Sequence, residues 1–332
     1  APPEAGQPWR VTGHRSEAIS IRDRLEAGAA LPEDPAVVAA AEAGHRAALQ
    51  FIRRPIGRTA GRIQTYFSLA APCAAVQIVA EAQRHHIAAA APALPDLPLL
   101  SVAAPFRGGG KGAGSAYVDI PPGPLVYRHA ADLYLYPNQL VVLEVTGADL
   151  ADWLERSASV FATVAPGAQA VPLLAPGALS YNFDVIEGLY YAFDLSQPAR
   201  TTADGMPRPE CGTRLTDLTW QGRPVTAEQR FLAITNSYRA GGGGLFDGAR
   251  RGQLRYSAPC STREAVVAYL QAAGEIVPQA TRHWGFAPLA PAATALFDTD
   301  PAALDAPWPE IGRGLRSLGL TEAGLARFEI TL

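Results

Sequence analysis

Apolar positions along this chain form two kinds of run. Some recur at helical spacing, and others are short continuous or alternating blocks of strand length. Val37, Ala41, Ala48 and Phe51 keep a helical period behind Asp34 and Pro35, an N-cap acid followed by proline at the first helical position. Arg53 and Arg54 suit the C-terminus of that helix, and Pro55 stops it. Val76, Ile78, Val79, Ala82 and His86 mark a second helix over 74–90. Leu150, Trp153 and Leu154 share one face of a third, opened by Thr146 with Asp149 three residues on. A fourth helix is expected over 262–273. Strand-type blocks occupy 99–103, 140–145, 189–195, 214–220, 231–235, 283–287, 294–297 and 326–331, with weaker hints at 9–12 and 19–21. Residues 164–178 read as a long loop. Helices and strands in mixed order, without regular βαβ alternation, predict an α/β (or α+β) fold with a mixed β-sheet and flanking helices. Residues 1–33 are expected to be a tail and linker, and 34–332 a domain.

Composition narrows the function classes. Of 332 residues 48% are hydrophobic, enough for a core, and only 18% are charged. The net charge of -3 provides no basic surface for a nucleic-acid polymer. No apolar run approaches the ~20 residues of a membrane-spanning helix. Cys73, Cys211 and Cys260 show no CxxC spacing, so neither a zinc site nor a disulfide framework is expected, although one pair could still be bridged. Among the histidines only His85 and His86 are neighbours, and adjacent helical residues point roughly 100° apart, so they do not chelate together. The chain does not begin with Met and its single Met is Met206, which suggests a processed or excised piece. GxSxG, HExxH and P-loop motifs are missing.

The candidate chemistry lies in four stretches. Residues 231–244, FLAITNSYRAGGGG, read as a strand that empties into four glycines with Tyr238 at its exit. Glycines permit positive φ and close backbone approach. Such a stretch is either a plain turn with Tyr238 as packing, or a place where an aromatic stacks on a flat ligand. In 132–138, DLYLYPN, Tyr134 and Tyr136 alternate and would share a face if extended. Asn138 ends that stretch with an amide that both donates and accepts. Arg107 and Lys111 sit in a glycine-rich run that could meet an anion through free backbone N–H groups, or be only a surface loop. Asn182 and Asp184 belong to a polar-dense stretch, YNFDVIEG, just before a strand.

Three long blocks, DLYLYPNQLVVLEVTGADLADWLERSA, YNFDVIEGLYYAFDLSQPAR and FLAITNSYRAGGGG, occur in this order. Together they resemble the C-terminal domain of bacterial periplasmic 2′,3′-cyclic-nucleotide 2′-phosphodiesterase/3′-nucleotidases, a branch of the 5′-nucleotidase family. The resemblance runs from about residue 38 to the end, and residues 9–12 look like the last strand of a preceding metallophosphatase domain. It implies that a separate N-terminal domain holds two divalent metal ions and a catalytic Asp-His pair. The present chain would supply the substrate pocket. By the matching motifs, Tyr136 and Tyr238 sandwich the nucleobase, Asn138 bonds its edge and Arg107 meets the anionic end. Asn182 and Asp184 match the pocket less directly. Gly244 stands where the 5′-nucleotidase/UDP-sugar hydrolase branch carries a ribose-binding aspartate, which favours the cyclic-phosphodiesterase branch. No metallophosphatase motif occurs in these residues, so no catalytic residue, metal ligand or cofactor is expected in this chain. The implied partners are a nucleoside or a nucleotide (cyclic or 3′-phosphate) and the metallophosphatase domain, in the periplasm, with no membrane and no nucleic-acid polymer. Two rivals remain: a non-catalytic module that scavenges or senses nucleosides, and a structural domain in which Tyr136 and Tyr238 are core.

Overall fold

The computed structural model describes residues 11–16, 33–90, 92–109, 117–311 and 314–332. The expected strand at 19–21, the start of the one at 9–12, and Lys111 lie outside the described residues; Val11 and Thr12 have no regular structure. The chain divides into two compact units, residues 1–51 and 52–332. Helix α1 (Pro35–Ile52) starts as its N-cap predicts: Asp34 Oδ1 accepts the N–H groups of Ala36 at 2.8 Å and Val37 at 3.3 Å.

The second unit is organised on a five-stranded mixed sheet. Its strands are β1 (Leu99–Ala103), β2 (Gln139–Thr146), β3 (Val185–Glu187), β4 (Arg230–Asn236) and β5 (Gln253–Ser261), in the spatial order β5-β2-β4-β1-β3. β4 pairs antiparallel with β2 from Arg230↔Thr146 to Asn236↔Leu140, and parallel with β1. Residues Phe231 to Thr235 are all buried because both faces of β4 are covered. Phe231 and Ala233 join the main core, while Leu232 and Ile234 pack on a second layer with Leu140, Val142 and Ile87. This is why β4 reads as a continuous apolar block.

The helices of this unit are α2 (Ala74–Ala90), α3 (Tyr127–Leu133), α4 (Gly147–Ser157), α5 (Ser237–Ala240), α6 (Asp247–Arg251) and α7 (Thr262–Ala273). α4 and α7 each begin in a capping box, Thr146 with Asp149 and Ser261 with Glu264. A smaller sheet joins Leu215–Trp220, Tyr190–Phe193 and Trp284–Phe286, and an antiparallel group joins Thr294–Thr299, Ala326–Thr331 and Leu315–Leu320.

One expectation is corrected. Residues 134–138 are not extended strand: α3 ends at Leu133, and a loop leads from it into β2. Tyr134 and Tyr136 therefore do not share a face by alternation. Both instead meet the Phe106 ring edge-on, at 4.7 and 5.6 Å, with Tyr134 buried and Tyr136 exposed. The nine-residue strand β5 is additional. It is an edge strand, mostly exposed, with Pro259 and two register shifts, so no alternation survives to mark it.

Arg62 and Asp119 tie two short strands, Ile63–Gln64 and Asp119–Ile120, through a bidentate pair at 2.6 and 2.7 Å. The Arg62 hydrogen bond holds the Asp119 carboxyl below its usual range. A folded value below the unfolded one gives stability that is present above about pH 4 and lost as pH falls through the depressed value. Asp119→Asn is therefore expected to lower the urea midpoint at pH 7 and to match the native chain near about pH 2. The pair is partly exposed, so the shift at neutral pH stays within the ~1 kcal/mol of a screened surface pair. An equal deficit at both pH values would show that the charge is not responsible.

Candidate functional site

Antiparallel pairing of β2 with β4 brings the start of one beside the end of the other. Residues Asn138 and Asn236, far apart in sequence, thereby come together at one end of these two neighbouring strands. The Gln139 N–H donates to Ser237 Oγ at 3.2 Å and links the two ends. The loop before β2 is pinned by the first turn of α7. The Arg263 guanidinium donates to the carbonyl of Tyr134 at 3.0 Å and also to that of Leu135, and the Thr262 N–H donates to the carbonyl of Asn138 at 2.9 Å. On the other side Asn236 caps α5: its Oδ1 accepts the Arg239 N–H at 2.9 Å. That single turn of helix places Tyr238 outward and Arg239 inward.

Between these ends lies a cavity of about 210 Å³, lined by Phe106, Tyr136, Asn138, Tyr181, Asn236, Tyr238 and Arg239. Tyr136 is 38% exposed and Tyr238 50% exposed, unusual for large rings in a molecule whose other aromatics mostly fill its core. The Tyr181 phenol is pushed above its ordinary value by burial, and further by the nearby Tyr136 and Tyr238 hydroxyls. Three phenols thus converge here, together with two amides.

Beneath the cavity is a buried ion pair. Arg239 Nε donates to Asp184 Oδ2 at 2.8 Å and Nη2 to Oδ1 at 2.9 Å, with both side chains 4% exposed. The same guanidinium donates to the carbonyl of Gly243 at 2.9 Å and to that of Tyr181, and its centre lies 4.0 Å from the Phe246 ring centroid. Trp153 Nε1 also donates to Asp184 Oδ2, at 2.8 Å. Arg156 stands against the same Phe246 ring at 5.0 Å and donates to the Gly244 carbonyl at 3.0 Å. Burial, then the charge of Arg239, pushes Arg156 down to about 10. This network fixes the Tyr181 loop, α5 and the glycine turn to one another. It also neutralises Arg239, among the described residues the only cationic side chain in the cavity lining.

The glycines have local reasons. A Cβ on Gly243 would lie 2.5 Å from three atoms of the Tyr238 ring, so this glycine makes room for the tyrosine itself. Gly244 has φ +76°, and a Cβ there would lie 2.5 Å from Arg239 Nη1 and 3.0 Å from Asn182 Oδ1.

Of the residues singled out from sequence, Tyr136, Asn138 and Tyr238 come together in the cavity. Arg107 is not in its lining; it pairs with Asp132 at 3.0 Å, and its neighbour Phe106 faces the cavity instead. Asn182 and Asp184 are buried below, Asp184 as the acid of the ion pair. Phe106, Tyr181, Asn236 and Arg239 were not picked out from sequence. The signal for Asn236 was present, as a side-chain acceptor placed to cap the turn that follows β4. A second cavity of about 130 Å³, between Pro72, Trp284 and Leu332, carries no comparable set of rings and amides. Among the described residues no group of three or more His, Cys, Asp or Glu side chains is arranged to hold a metal ion.

Residues 55–251 match the family model of the 5′-nucleotidase C-terminal domain. A 2′,3′-cyclic-nucleotide 2′-phosphodiesterase/3′-nucleotidase of Haemophilus influenzae is 34% identical over 98% of this chain and 51% of its own length. The Salmonella typhimurium protein of the same name is 38% identical over 88% of this chain and 47% of its own length. The chain thus spans about half the length of these relatives. The crystal structure of a 5′-nucleotidase precursor from Thermus thermophilus covers 78% of this chain, and 44% of that one, at a TM-score of 0.56 and 18% identity, a likeness of fold. The match over most of the second unit, together with the mixed α/β architecture, makes this chain a member of the 5′-nucleotidase C-terminal domain family.

Proposed function

We propose that this chain is the part of a nucleotide phosphoesterase that selects the nucleotide by its base. Tyr136 and Tyr238 hold the base between their rings, and Asn138 reads its edge. The phosphoester is cleaved by a separate metallophosphatase domain with two divalent ions, which supply an activated water. The observation that carries this reading is the meeting of Tyr136, Asn138 and Tyr238 in one cavity. Arg239, the one cation that lines the cavity among the described residues, is compensated by Asp184, so the cavity suits a flat uncharged group rather than a phosphate. The names of the relatives point to a 2′,3′-cyclic or 3′-nucleotide as substrate and to a 2′-phosphodiesterase and 3′-nucleotidase reaction. Arg107, partly exposed one residue from Phe106, is the group assigned to the anionic end. A periplasmic location belongs to the same reading. Holding the base in place lets binding energy at a remote group lower the barrier at the phosphorus.

Titration calorimetry with adenosine and 3′-AMP tests this. Tyr136→Ala and Tyr238→Ala each remove one stacked face, worth roughly 1–3 kcal/mol, and should raise Kd by about 5- to 150-fold. Absence of saturable binding to the unaltered chain would sink the proposal. Phosphate release from 3′-AMP by this chain with added Mn²⁺ is expected to be nil, and turnover would overturn the division of labour between the two domains.

A further inference from the structure

Tyr134 lies next to the cavity without lining it, and its hydroxyl has no role in the site as described so far. The ring is 2% exposed and stands edge-on to Phe106, which also supports Tyr136. The hydroxyl is buried and has no hydrogen-bond partner, and Thr262 Oγ1 is likewise buried and unpartnered. Proteins leave few such groups, because each forfeits its bonds to water without replacement. Tyr134 and Asn138 are pinned by the same turn of α7, Tyr134 through the Arg263 guanidinium on its carbonyl at 3.0 Å and Asn138 through the Thr262 N–H on its carbonyl at 2.9 Å. Burial pushes the Tyr134 phenol up and the Asp184 charge adds to the rise, while the side chains of Thr262, Asn138 and Asn236 oppose it without completing a hydrogen bond to the hydroxyl. Both amides line the cavity.

The two amides differ in freedom. Asn236 Oδ1 is committed to the Arg239 N–H, so its NH₂ is the half left over. Asn138 is held through its backbone carbonyl by Thr262, which leaves its amide free to turn. We propose that Tyr134 is a positioning residue for recognition of the base: its hydroxyl donates to Asn138 Oδ1 in the complex and turns the Asn138 NH₂ toward the ligand. Both amides then offer N–H groups, and the cavity selects a base edge that presents acceptors, such as a purine ring nitrogen. This rests on the reading that the cavity takes a nucleobase.

The test compares adenosine with its 1-deaza, 3-deaza and 7-deaza analogues, each of which replaces one ring acceptor by CH. The unaltered chain is expected to bind one analogue about 5-fold more weakly than adenosine, the scale of one net hydrogen bond. Tyr134→Phe should shrink that ratio to about 2-fold or less, by weakening adenosine and leaving the analogue unchanged, with an unaltered melting temperature. A role in packing alone would not move the ratio. Thr262→Val, which removes the other buried, unpartnered hydroxyl beside Asn138, should keep the discrimination. The proposal is overturned if Tyr134→Phe retains the full ratio, if Thr262→Val abolishes it, or if the unaltered chain binds adenosine and all three analogues equally. Failure of the unaltered chain to bind adenosine at all is a different result, which removes the nucleobase reading itself.

Discussion

Asp184→Ala is expected to destabilise the protein by about 3–5 kcal/mol, the cost of leaving one partner of a buried ion pair uncompensated, and to abolish adenosine binding. Arg239 is 3% exposed and would keep only carbonyl oxygens as acceptors. Trp153 Nε1, at the centre of α4, would lose its acceptor at the same time. The effect should reach the cavity, because the same guanidinium holds the Tyr181 carbonyl and the turn behind Tyr238. Asp184→Asn preserves an acceptor but not the charge and should lie between. A double variant, Asp184→Leu with Arg239→Met, is expected to be less destabilised than the sum of the singles, since it leaves no orphaned charge. Urea unfolding at neutral pH measures each of these variants, including the two singles Asp184→Leu and Arg239→Met. An Asp184→Ala midpoint close to that of the unaltered chain would mean that the pair does not brace the site.

Arg214→Ala should be comparably severe for a different reason. Arg214 is fully buried and stitches three backbone carbonyls together: its guanidinium donates to Ala158, Phe161 and Gln197, each at 2.8 Å. A fourth bond reaches Thr163 Oγ1 at 2.9 Å. Burial pushes the guanidinium down to about 10 even with Glu155 nearby to favour its charge. Truncation takes the guanidinium donor from the Phe161 and Gln197 carbonyls, while that of Ala158 keeps the Phe161 N–H at 3.2 Å; at about 1–3 kcal/mol for each orphaned carbonyl, a loss of at least about 2 kcal/mol is expected. Arg214→Lys offers a point charge in place of a planar fork and should recover only part of that loss. A lysine variant as stable as the unaltered chain, in the same unfolding measurement, would show that fork geometry is unimportant here.

The parts of the fold that were legible in the sequence share a physical cause: local signals that agree with burial. β2 and β4 show as apolar runs because both of their faces are covered. α2 and α4 show through their period, and α4 also through its cap, with the Thr146 box forming as its residues imply; α7 is found at its expected bounds. Other features left no local mark. β5 lies at a sheet edge with its side chains mostly in solvent, so its pairing with β2 is not written as alternation. The loop at 134–138 takes its path from Arg263, a residue far along the chain.

The site divides in the same way. Residue types singled out Tyr136, Asn138 and Tyr238 as candidates, and the motif resemblance joined them into one pocket of a domain expected to bind rather than cleave. That these three meet was decided by the antiparallel register of β2 and β4, a contact that no spacing along the chain expresses. Tertiary structure also changed what neighbouring residues do. Gly243 makes room for the Tyr238 ring, Asp184 neutralises Arg239, and Phe106 rather than Arg107 faces the cavity. The sequence by itself determined most of the elements, the Asp34 and Thr146 caps, and the family. Only the packed structure decided which side chains share a cavity and which of their charges are already spent, because burial and pairing between distant segments are properties of the folded chain alone.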